Sequence, residues 1–329
     1  MTGFLLRAAL AAIGASTIFG AHAFDLQGHR GARGLAPENT LPAFAVALSL
    51  GVTTLELDTG VTSDGVVVIS HEPWPHPDTA RGPDGSWLKE HGPAINTLPY
   101  AELARYDVGR VNPATAYGKR YPAQKPVDGT RIPKLAELFA LVKKSGNTAV
   151  RFNIETKIDP RAPQSTLAPE AFARAVVLAI RDGSMAGRAS IQSFDWRTLK
   201  AVQAEAPEIA TVYLTAQQKW LDNIDAGNRS GSAWTAGVQY AQHGSVPKMV
   251  RAAGGKTWSP FFGDVDVAKI AEAAALGVTV VVWTVNEPAD IARMIDLGVA
   301  GIISDRPDLV RVEMQRRGMA LPAASRVVP

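Results

Sequence analysis

The 329-residue sequence contains no cysteine. This absence excludes a disulfide scaffold, a Cys-ligated zinc or iron–sulfur site, a thiol nucleophile and redox switching by thiols. An excess of charge of one sign is also lacking, since 34 Lys and Arg stand against 31 Asp and Glu. The sequence has no run of Lys or Arg, so we expect no nucleic-acid partner and no membrane-surface partner.

Long apolar segments are scarce, and the one candidate stands at the N-terminus. Residues 1–23 carry one charged side chain, Arg7, which is followed by an apolar stretch and then by the cleavage pattern Ala21-His22-Ala23. The stretch is short and rich in small residues, which disfavours a transmembrane helix. We predict a signal peptide over 1–23 that is cleaved near Ala23, a periplasmic or secreted location, and no stable membrane anchor.

Short apolar, β-branched runs alternate with helix-patterned segments along the rest of the chain. Nine runs indicate strands: Phe24–His29, Thr53–Asp58, Val66–Ser70, Thr148–Glu155, Ala189–Phe194, Ile209–Leu214, Lys256–Ser259, Val278–Val285 and Gly301–Ser304. Helical patterns lie between most of them: Thr40–Leu50, Lys134–Lys144, Pro169–Arg181, Asp195–Glu205, Val265–Leu276 and Pro288–Leu297. Such alternation is typical of βαβ units around a parallel sheet.

Nine strands are one more than a (β/α)8 barrel needs. Val66–Ser70 follows Thr53–Asp58 across a short gap that contains Asp64-Gly65, a strong hairpin signal. This run should therefore return antiparallel, as a hairpin excursion after strand 2, and leave eight parallel strands. We predict an α/β fold with one TIM-type (β/α)8 barrel domain over 24–329.

Two long stretches depart from the repeat. Residues 73–131 are rich in Pro, Gly, Trp and Tyr, and residues 215–254 include Trp220, Trp234 and Tyr240. Both would follow strand ends, where the loops of this fold build active sites. We expect them to be loop insertions that serve as a lid or substrate wall. The alternative is that both stretches only pack against the rest of the protein and do not contact a ligand.

Carboxylates recur where the second and third barrel strands end. Glu56 and Asp58 are two residues apart, which places both side chains on one face of the strand, and Glu155 ends the next strand. Inward-facing carboxylates need a cation or a shared proton. An all-oxygen set favours Ca²⁺ or Mg²⁺ over zinc, and Mn²⁺ is a further candidate. The alternative for each carboxylate alone is a salt bridge at the barrel mouth.

Two histidines fall at the same rim. His29 ends the first strand beside Arg30, and His71 ends the returning hairpin strand at the level of the carboxylates. Lys157 follows the third barrel strand. Two imidazoles with a cation, Arg30 and Lys157 suit phosphoester cleavage, because cations stabilise phosphoryl charge while imidazoles exchange protons. For His29 alone, the alternative is a buried structural histidine.

Two further residues are expected to support this rim. Trp283, at the end of the seventh strand, is predicted to form an apolar wall for the organic part of a substrate, with barrel core as the alternative. Glu38 is placed to orient His29 or Arg30. Asn39 is interpreted as a helix N-cap, a role that Thr40 also suits.

In chain order these motifs resemble the glycerophosphodiester phosphodiesterase family. The matching segments are His29-Arg30-Gly31, Pro37-Glu38-Asn39-Thr40, Glu56-Leu57-Asp58, Thr62-Ser63-Asp64-Gly65, His71-Glu72, Ile154-Glu155-Thr156-Lys157, Val282-Trp283-Thr284-Val285-Asn286 and Gly301-Ile302-Ile303-Ser304-Asp305-Arg306-Pro307. Each is short, but the ordered set is specific. The family usually has Asp where Glu72 stands; we assign Glu72 a supporting position beside His71.

The resemblance implies a TIM-type barrel that hydrolyses small-molecule glycerophosphodiesters to glycerol 3-phosphate and an alcohol. It implies a divalent cation on Glu56, Asp58 and Glu155, catalysis by His29 and His71, and phosphate contacts from Arg30 and Lys157. The nucleophile is either water or the neighbouring glycerol 2-hydroxyl, which would give a cyclic phosphate. The sequence leaves open which histidine is the acid, which alcohol is released, and the oligomeric state.

Two other functions are compatible with these residues. The first is a barrel phosphodiesterase of the phospholipase C or sphingomyelinase D type, which shares a paired-histidine rim. The Glu38-Asn39-Thr40 and Trp283-Thr284-Val285-Asn286 segments argue against it. The second is an exported protein that binds a phosphodiester without turnover. The histidine pair argues against it, because binding alone needs no groups for proton transfer.

Overall fold

The computed structural model describes residues 24–329, and the predicted signal peptide lies outside the described residues. The strands are β1 (Asp25–Gly28), β2 (Thr54–Val61), β3 (Val67–Ile69), β4 (Arg151–Thr156), β5 (Ala189–Ser193), β6 (Ala210–Thr215), β7 (Gln217–Gln218), β8 (Leu221–Asp222), β9 (Thr257–Pro260), β10 (Thr279–Val282) and β11 (Gly301–Ser304). The helices are α1 (Leu41–Leu50), α2 (Tyr100–Leu103), α3 (Leu135–Lys144), α4 (Pro169–Asp182), α5 (Trp196–Glu205), α6 (Tyr240–His243), α7 (Val246–Ala252), α8 (Val267–Ala275), α9 (Pro288–Asp296) and α10 (Pro307–Arg316). Within 24–329, no helix combines the length and apolar character needed to cross a bilayer.

Eight of the strands form a closed parallel barrel. Their order is β1, β2, β4, β5, β6, β9, β10 and β11, and β11 pairs with β1 to close the ring. Helices lie between successive barrel strands, as in βαβ units. The predicted TIM-type (β/α)8 barrel is therefore confirmed.

The short strand β3 is the predicted hairpin excursion. It runs antiparallel to β2, with Thr59 opposite Ile69 and Val61 opposite Val67. The pairing continues one step further, because the Ser70 amide donates to the carbonyl oxygen of Asp58 at 3.0 Å. This register brings His71, the next residue, to the level of Asp58, as predicted.

The helices pack one apolar face against the barrel. In α4 the buried residues Phe172, Val176 and Ile180 recur every four positions, so they form one stripe that faces the strands. Residues at this spacing lie one above another on a helix, which explains why the pattern was visible in the sequence.

Helices α2, α6, α7 and α10 were not predicted. Helix α7 has seven residues, too few to show a helical period, and Pro247 stands in its first turn, where proline is tolerated. The Ser245 hydroxyl caps it by accepting a hydrogen bond from the Lys248 amide at 3.4 Å. The predicted insertion 215–254 thus includes the barrel helix between β6 and β9.

Residues 73–131 fold against the hairpin through a small core of their own. Val68 of β3 packs there with Ile95, Leu103 and Ile132, apart from the main barrel core. Isolated bridges from Asp107 to Arg81 and Arg131 tie the segment together. The segment is thereby held at the mouth of the barrel, above the carboxyl ends of β1 and β2.

Candidate active site

The three predicted carboxylates meet inside the barrel mouth. In the strand register, Asp58 of β2 is directly opposite Glu155 of β4. Glu56 precedes Asp58 by two residues and lies on the same face of β2. All three residues are buried, with 1–6% of their surface exposed. One oxygen from each lies within 4.8 Å of the other two. Oxygens on opposite sides of one Ca²⁺ would be roughly 4.6–5.2 Å apart, so this separation suits a shared divalent cation.

The charge balance of the cluster also fits a cation. Burial and repulsion from Asp58 raise the pKa of Glu56, and burial raises the pKa of Glu155 to about 8 against the pull of Lys157. Burial would raise the pKa of Asp58 too, but Arg30 and other cations lower it. Without a metal, Glu56 and Glu155 therefore favour their protonated forms, because burial and repulsion from Asp58 both disfavour the charged carboxylates. The residues fit a divalent cation.

Neutral donors fix the carboxylates in place. Gln192 of β5 donates from Nε2 to Glu56 Oε1 at 2.7 Å, and Asn39 donates from Nδ2 to Asp58 Oδ2 at 2.9 Å. The interpretation of Asn39 as a helix cap is wrong. Thr40 caps α1, since its hydroxyl accepts from the Ala43 amide at 3.3 Å. Asn39 is thereby free to bind the carboxylate.

The turn after β1 places backbone against the same cluster. The Arg30 amide donates to Glu56 Oε2 at 2.8 Å, and Arg30 and Gly31 both adopt positive φ, of 50° and 85°. A Cβ at Gly31 would lie 2.7 Å from the Ala43 carbonyl carbon, and one at Gly28 would lie 2.0 Å from the Gly31 oxygen. Only glycine allows this close approach of β1, the turn and α1.

Glu38 orients Arg30 and forms no hydrogen bond with His29. Arg30 Nη1 donates to Glu38 Oε1 at 2.6 Å, and Arg30 Nε lies 3.2 Å from Asp58 Oδ2. Tyr117, from the 73–131 segment, donates its hydroxyl to the second oxygen of Glu38 and accepts from Arg33 Nη1 at 3.0 Å. This inserted segment therefore takes part in holding Arg30 at the cleft.

The partner of His29 is Asp305, which sequence reasoning missed. His29 Nδ1 lies 2.6 Å from Asp305 Oδ1, at the end of β11. Asp305 also accepts two hydrogen bonds from Arg33, at 2.9 and 3.0 Å, and one from Asn286 at 2.9 Å. The available signal was the Gly301–Pro307 segment, which matched the family without a role being assigned to its aspartate.

His71 lies between Glu72 and Lys157. His71 Nδ1 is 2.7 Å from Glu72 Oε1, and His71 Nε2 is 3.0 Å from Lys157 Nζ. Lys157 Nζ also lies 3.0 Å from Glu155 Oε1, which links the histidine to the carboxylate cluster. Burial would raise the pKa of Glu72, but its hydrogen bond to His71 lowers it to about 2. The supporting position predicted for Glu72 thus corresponds to a direct contact.

Both histidines favour the neutral form. Burial and the charge of Arg33 lower the pKa of His29 to about 4, although Asp305 opposes them. Burial, Arg30 and Lys157 likewise lower the pKa of His71. An ionised carboxylate only accepts hydrogen bonds, so each Nδ1 carries the proton and each Nε2 is the basic nitrogen. His29 Nε2 lies 3.9 Å from Glu56 Oε2, and His71 Nε2 accepts a hydrogen bond from Lys157 Nζ.

These groups line a cleft of about 890 Å³. His29, Arg30, His71 and Lys157 share its lining with aromatic side chains that include Phe194, Trp220 and Trp283. Trp283 Nε1 donates to the Ser259 carbonyl oxygen at 2.9 Å, which fixes the indole. Trp283 therefore lines the cleft and does not lie within the barrel core, and its contact with a substrate stays a prediction.

Comparison with known proteins assigns this architecture to a family. Residues 29–309 match the model of the glycerophosphoryl diester phosphodiesterase family. A relative named glycerophosphodiester phosphodiesterase, from Caldanaerobacter subterraneus, is 25% identical over 290 residues, which cover 88% of this chain and 97% of the relative. A protein of the same name from Bacillus subtilis is 24% identical over 85% of this chain and 83% of its own.

Solved structures have the same fold. A glycerophosphoryl diester phosphodiesterase candidate from Silicibacter pomeroyi is 35% identical, with a TM-score of 0.81 over 91% of this chain and 95% of its own. A phosphodiesterase from Oleispira antarctica, solved with its product sn-glycerol-3-phosphate, is 22% identical, with a TM-score of 0.62 over 88% and 96%. The family match spans the strand ends that carry both histidines and all three carboxylates, and on this ground the chain belongs to the glycerophosphoryl diester phosphodiesterase family.

Proposed function

We propose that this chain hydrolyses glycerophosphodiesters to glycerol 3-phosphate and an alcohol, with a divalent cation and proton transfer by two histidines. One observation carries the proposal: two histidines and two cationic side chains line one cleft, next to a cluster of three buried carboxylates. Family membership and the names of the relatives support the substrate class.

The cation would be held by Glu56, Asp58 and Glu155. When bound, it would neutralise negative charge on the phosphoryl oxygens as a Lewis acid. Arg30 and Lys157 line the cleft and add positive charge there. A guanidinium can hold two phosphate oxygens at once, whereas an ammonium acts as a point charge. These side chains therefore bind and orient the phosphodiester.

The histidines would move the protons of the displacement. The nucleophile loses a proton to Nε2 of one histidine as its oxygen bonds to phosphorus. The bond between phosphorus and the alcohol oxygen breaks, and that oxygen takes a proton from the other histidine. A bound anionic phosphodiester favours the protonated form of the histidine that acts as acid. Asp305 and Glu72 keep each imidazole in the required tautomer.

Glycerophosphocholine is the substrate with which to test the proposal. We expect the protein purified from residues 24–329 to release glycerol 3-phosphate, measured with a coupled assay. EDTA should abolish release, and Ca²⁺, Mg²⁺ or Mn²⁺ should restore it. Absence of turnover with every cation would contradict the proposed activity. Turnover that resists prolonged chelation in a protein shown to be metal-free would contradict the role of the carboxylates.

Asp305→Asn tests whether the aspartate positions His29. Asparagine keeps an oxygen for Arg33 but can present its amide to the imidazole, which favours the wrong tautomer. We expect kcat to fall roughly 10²-fold, near the lower limit for a general acid–base group. KM should change less than kcat, because Asp305 touches the histidine and not the substrate. If the variant instead has a lower Tm, and its kcat and KM change by similar factors, Asp305 has a purely structural role.

A further inference from the structure

The barrel interior is polar on one side and apolar on the other. Residues directly opposite one another on paired strands point to the same face, so the strand register extends the inward face of Glu56 to β1, β4 and β5. The polar residues on this face are Gln27, Thr54, Glu56, Asn153, Ser190 and Gln192. Val212 and Ile303 occupy the same inward face on β6 and β11. Branched apolar residues such as these commonly fill the interior of this fold, so the amides on the other side depart from that pattern.

The polar side contains one chain of hydrogen bonds that starts at the predicted metal ligand Glu56. Gln192 donates from Nε2 to Glu56 Oε1 at 2.7 Å. Asn153 donates from Nδ2 to Gln192 Oε1 at 2.8 Å and to Gln27 Oε1 at 3.0 Å. Gln27 donates from Nε2 to Asp25 Oδ2 at 2.9 Å, at the amino end of β1. The chain therefore runs through the barrel, from the carboxylate cluster to the opposite rim.

Asp25 fixes the direction of this chain. It pairs with Arg151 Nη2 at 3.0 Å and accepts from the Thr54 hydroxyl at 2.7 Å. An ionised carboxylate can only accept hydrogen bonds, so Gln27 must turn its amide nitrogen towards Asp25. The oxygen of Gln27 then faces Asn153, which must be the donor.

Asn153 transmits this direction to the carboxylate cluster. Its amide nitrogen carries two protons and donates one to each glutamine, while its Oδ1 accepts from the Ser190 hydroxyl at 3.0 Å. Gln192 consequently receives a hydrogen bond at its oxygen and presents its amide protons to Glu56. An ionised aspartate has no donor and a leucine has no polar group, so neither could replace Asn153 in this chain.

The chain completes the hydrogen bonds of Glu56. Its Oε1 accepts from Gln192, and its Oε2 accepts from the Arg30 amide at 2.8 Å. Glu56, Asn153 and Gln192 are each at most 2% exposed, so water does not compete for these contacts. Two donors on two oxygens fix the plane of the carboxylate. Each oxygen has a second lone pair, which leaves it able to bind a cation.

Building on the proposed function, we propose that Asn153 and Gln192 are positioning residues for the metal ligand Glu56. Gln192 holds one carboxylate oxygen in the orientation that a cation shared with Asp58 and Glu155 requires, and Asn153 holds Gln192. Neither residue is a metal ligand, but the affinity for the cation depends on both. Hydrogen-bond partners of metal ligands contribute about 10–100-fold to metal affinity.

Two substitutions test this role through cation affinity. Gln192→Met removes the donor to Glu56 at similar side-chain length, and Asn153→Leu removes the donor to Gln192 at similar volume. Titration calorimetry of the metal-free protein with Ca²⁺, Mg²⁺ and Mn²⁺ should show a Kd raised roughly 10–100-fold by Gln192→Met and about tenfold by Asn153→Leu. Thr257→Val is the matched control. It changes an inward-facing residue opposite Val212, on the other side of the interior, and should leave Kd unchanged.

Turnover gives a second readout, which separates positioning from support of the fold. Excess cation should restore most of kcat in both variants, because the metal ligands themselves are intact. The loss should instead appear in the cation concentration needed for half-maximal turnover. If Asn153 and Gln192 only support the fold, the substitutions will lower the Tm of the metal-free protein and leave Kd unchanged.

A double variant tests the order of the chain. If Asn153 acts through Gln192, Asn153→Leu should add little to the loss caused by Gln192→Met, since residues in one network are not additive. Losses that sum would overturn this order. Should Asn153→Leu fail to fold, Ser190→Ala removes only the hydroxyl that holds Asn153 and should raise Kd roughly threefold. An unchanged Kd in Ser190→Ala would then overturn the role of Asn153.

The outcomes distinguish this inference from the proposed function. If Gln192→Met binds the cation as tightly as the wild type does, the positioning role is wrong and the proposed function stands. If both variants lose affinity but the wild type does not cleave glycerophosphocholine, the positioning role stands and the proposed activity is wrong. A wild-type protein that binds none of the three cations would overturn both.

Discussion

Alanine at either histidine is expected to lower kcat for glycerophosphocholine by about 10²–10⁴-fold, the contribution of one general acid–base group. His29→Ala leaves the carboxylates, Arg30 and Lys157 in place, so substrate binding should change less than kcat. His71→Ala removes the neighbour of Lys157 with the same consequence. Single-turnover rates, measured with saturating cation, would report the loss directly.

The double variant sharpens this prediction. If the two imidazoles act in one displacement, removing both should cost little more than removing either, because groups that act as a unit are not additive. His243→Ala is the matched control, since this histidine lies on α6 and does not line the cleft. Rates close to wild type in both single variants would exclude the pair from catalysis.

Glu155→Gln is expected to abolish divalent-cation binding and to lower turnover by about 10²–10⁴-fold, because a Lewis acid supplies several kcal/mol to such a reaction. Glutamine keeps the shape and one oxygen but removes a charge from the cluster. Titration calorimetry with Ca²⁺, Mg²⁺ and Mn²⁺ would measure the binding loss. Glu170→Gln changes an exposed glutamate near the start of α4 and serves as the control.

Thermal unfolding gives this second prediction a readout that is independent of activity. A cation that binds only the folded wild-type protein should raise its Tm, by an amount that grows with cation concentration. Glu155→Gln should lose that rise. In the metal-free state the variant should unfold at a temperature close to that of the wild type, since burial raises the pKa of Glu155 to about 8 and the wild-type side chain is then largely protonated at neutral pH. A metal-induced rise of wild-type size in the variant would refute the site.

Most of the barrel could be predicted because its signals are local. Alternation of strands and helices, the four-residue spacing of Phe172, Val176 and Ile180, and the Asp64-Gly65 turn each depend on neighbouring residues alone. Helix α7 was not predicted, because seven residues are too few to establish a helical period. Asn39 was misinterpreted because a cap and a carboxylate ligand require the same kind of side chain, and only its surroundings distinguish them.

The sequence by itself determined the fold and the set of chemical groups at the site. Period-two spacing placed Glu56 and Asp58 on one face of their strand. His29, His71 and the remaining charged groups lie at strand ends, which meet at one rim of the barrel. These assignments needed only spacing along the chain and the rule that parallel strands end together.

Only the tertiary structure decided how those groups are coupled. Asp305 and His29 are separated by 276 residues, and they meet because β11 pairs with β1 when the barrel closes. Tyr117 reaches Glu38 from an insertion without periodicity, and Trp220 reaches Trp283 from a two-residue turn. No local pattern specifies such contacts, since their existence depends on the closure of the ring and on how the long loops pack across its mouth.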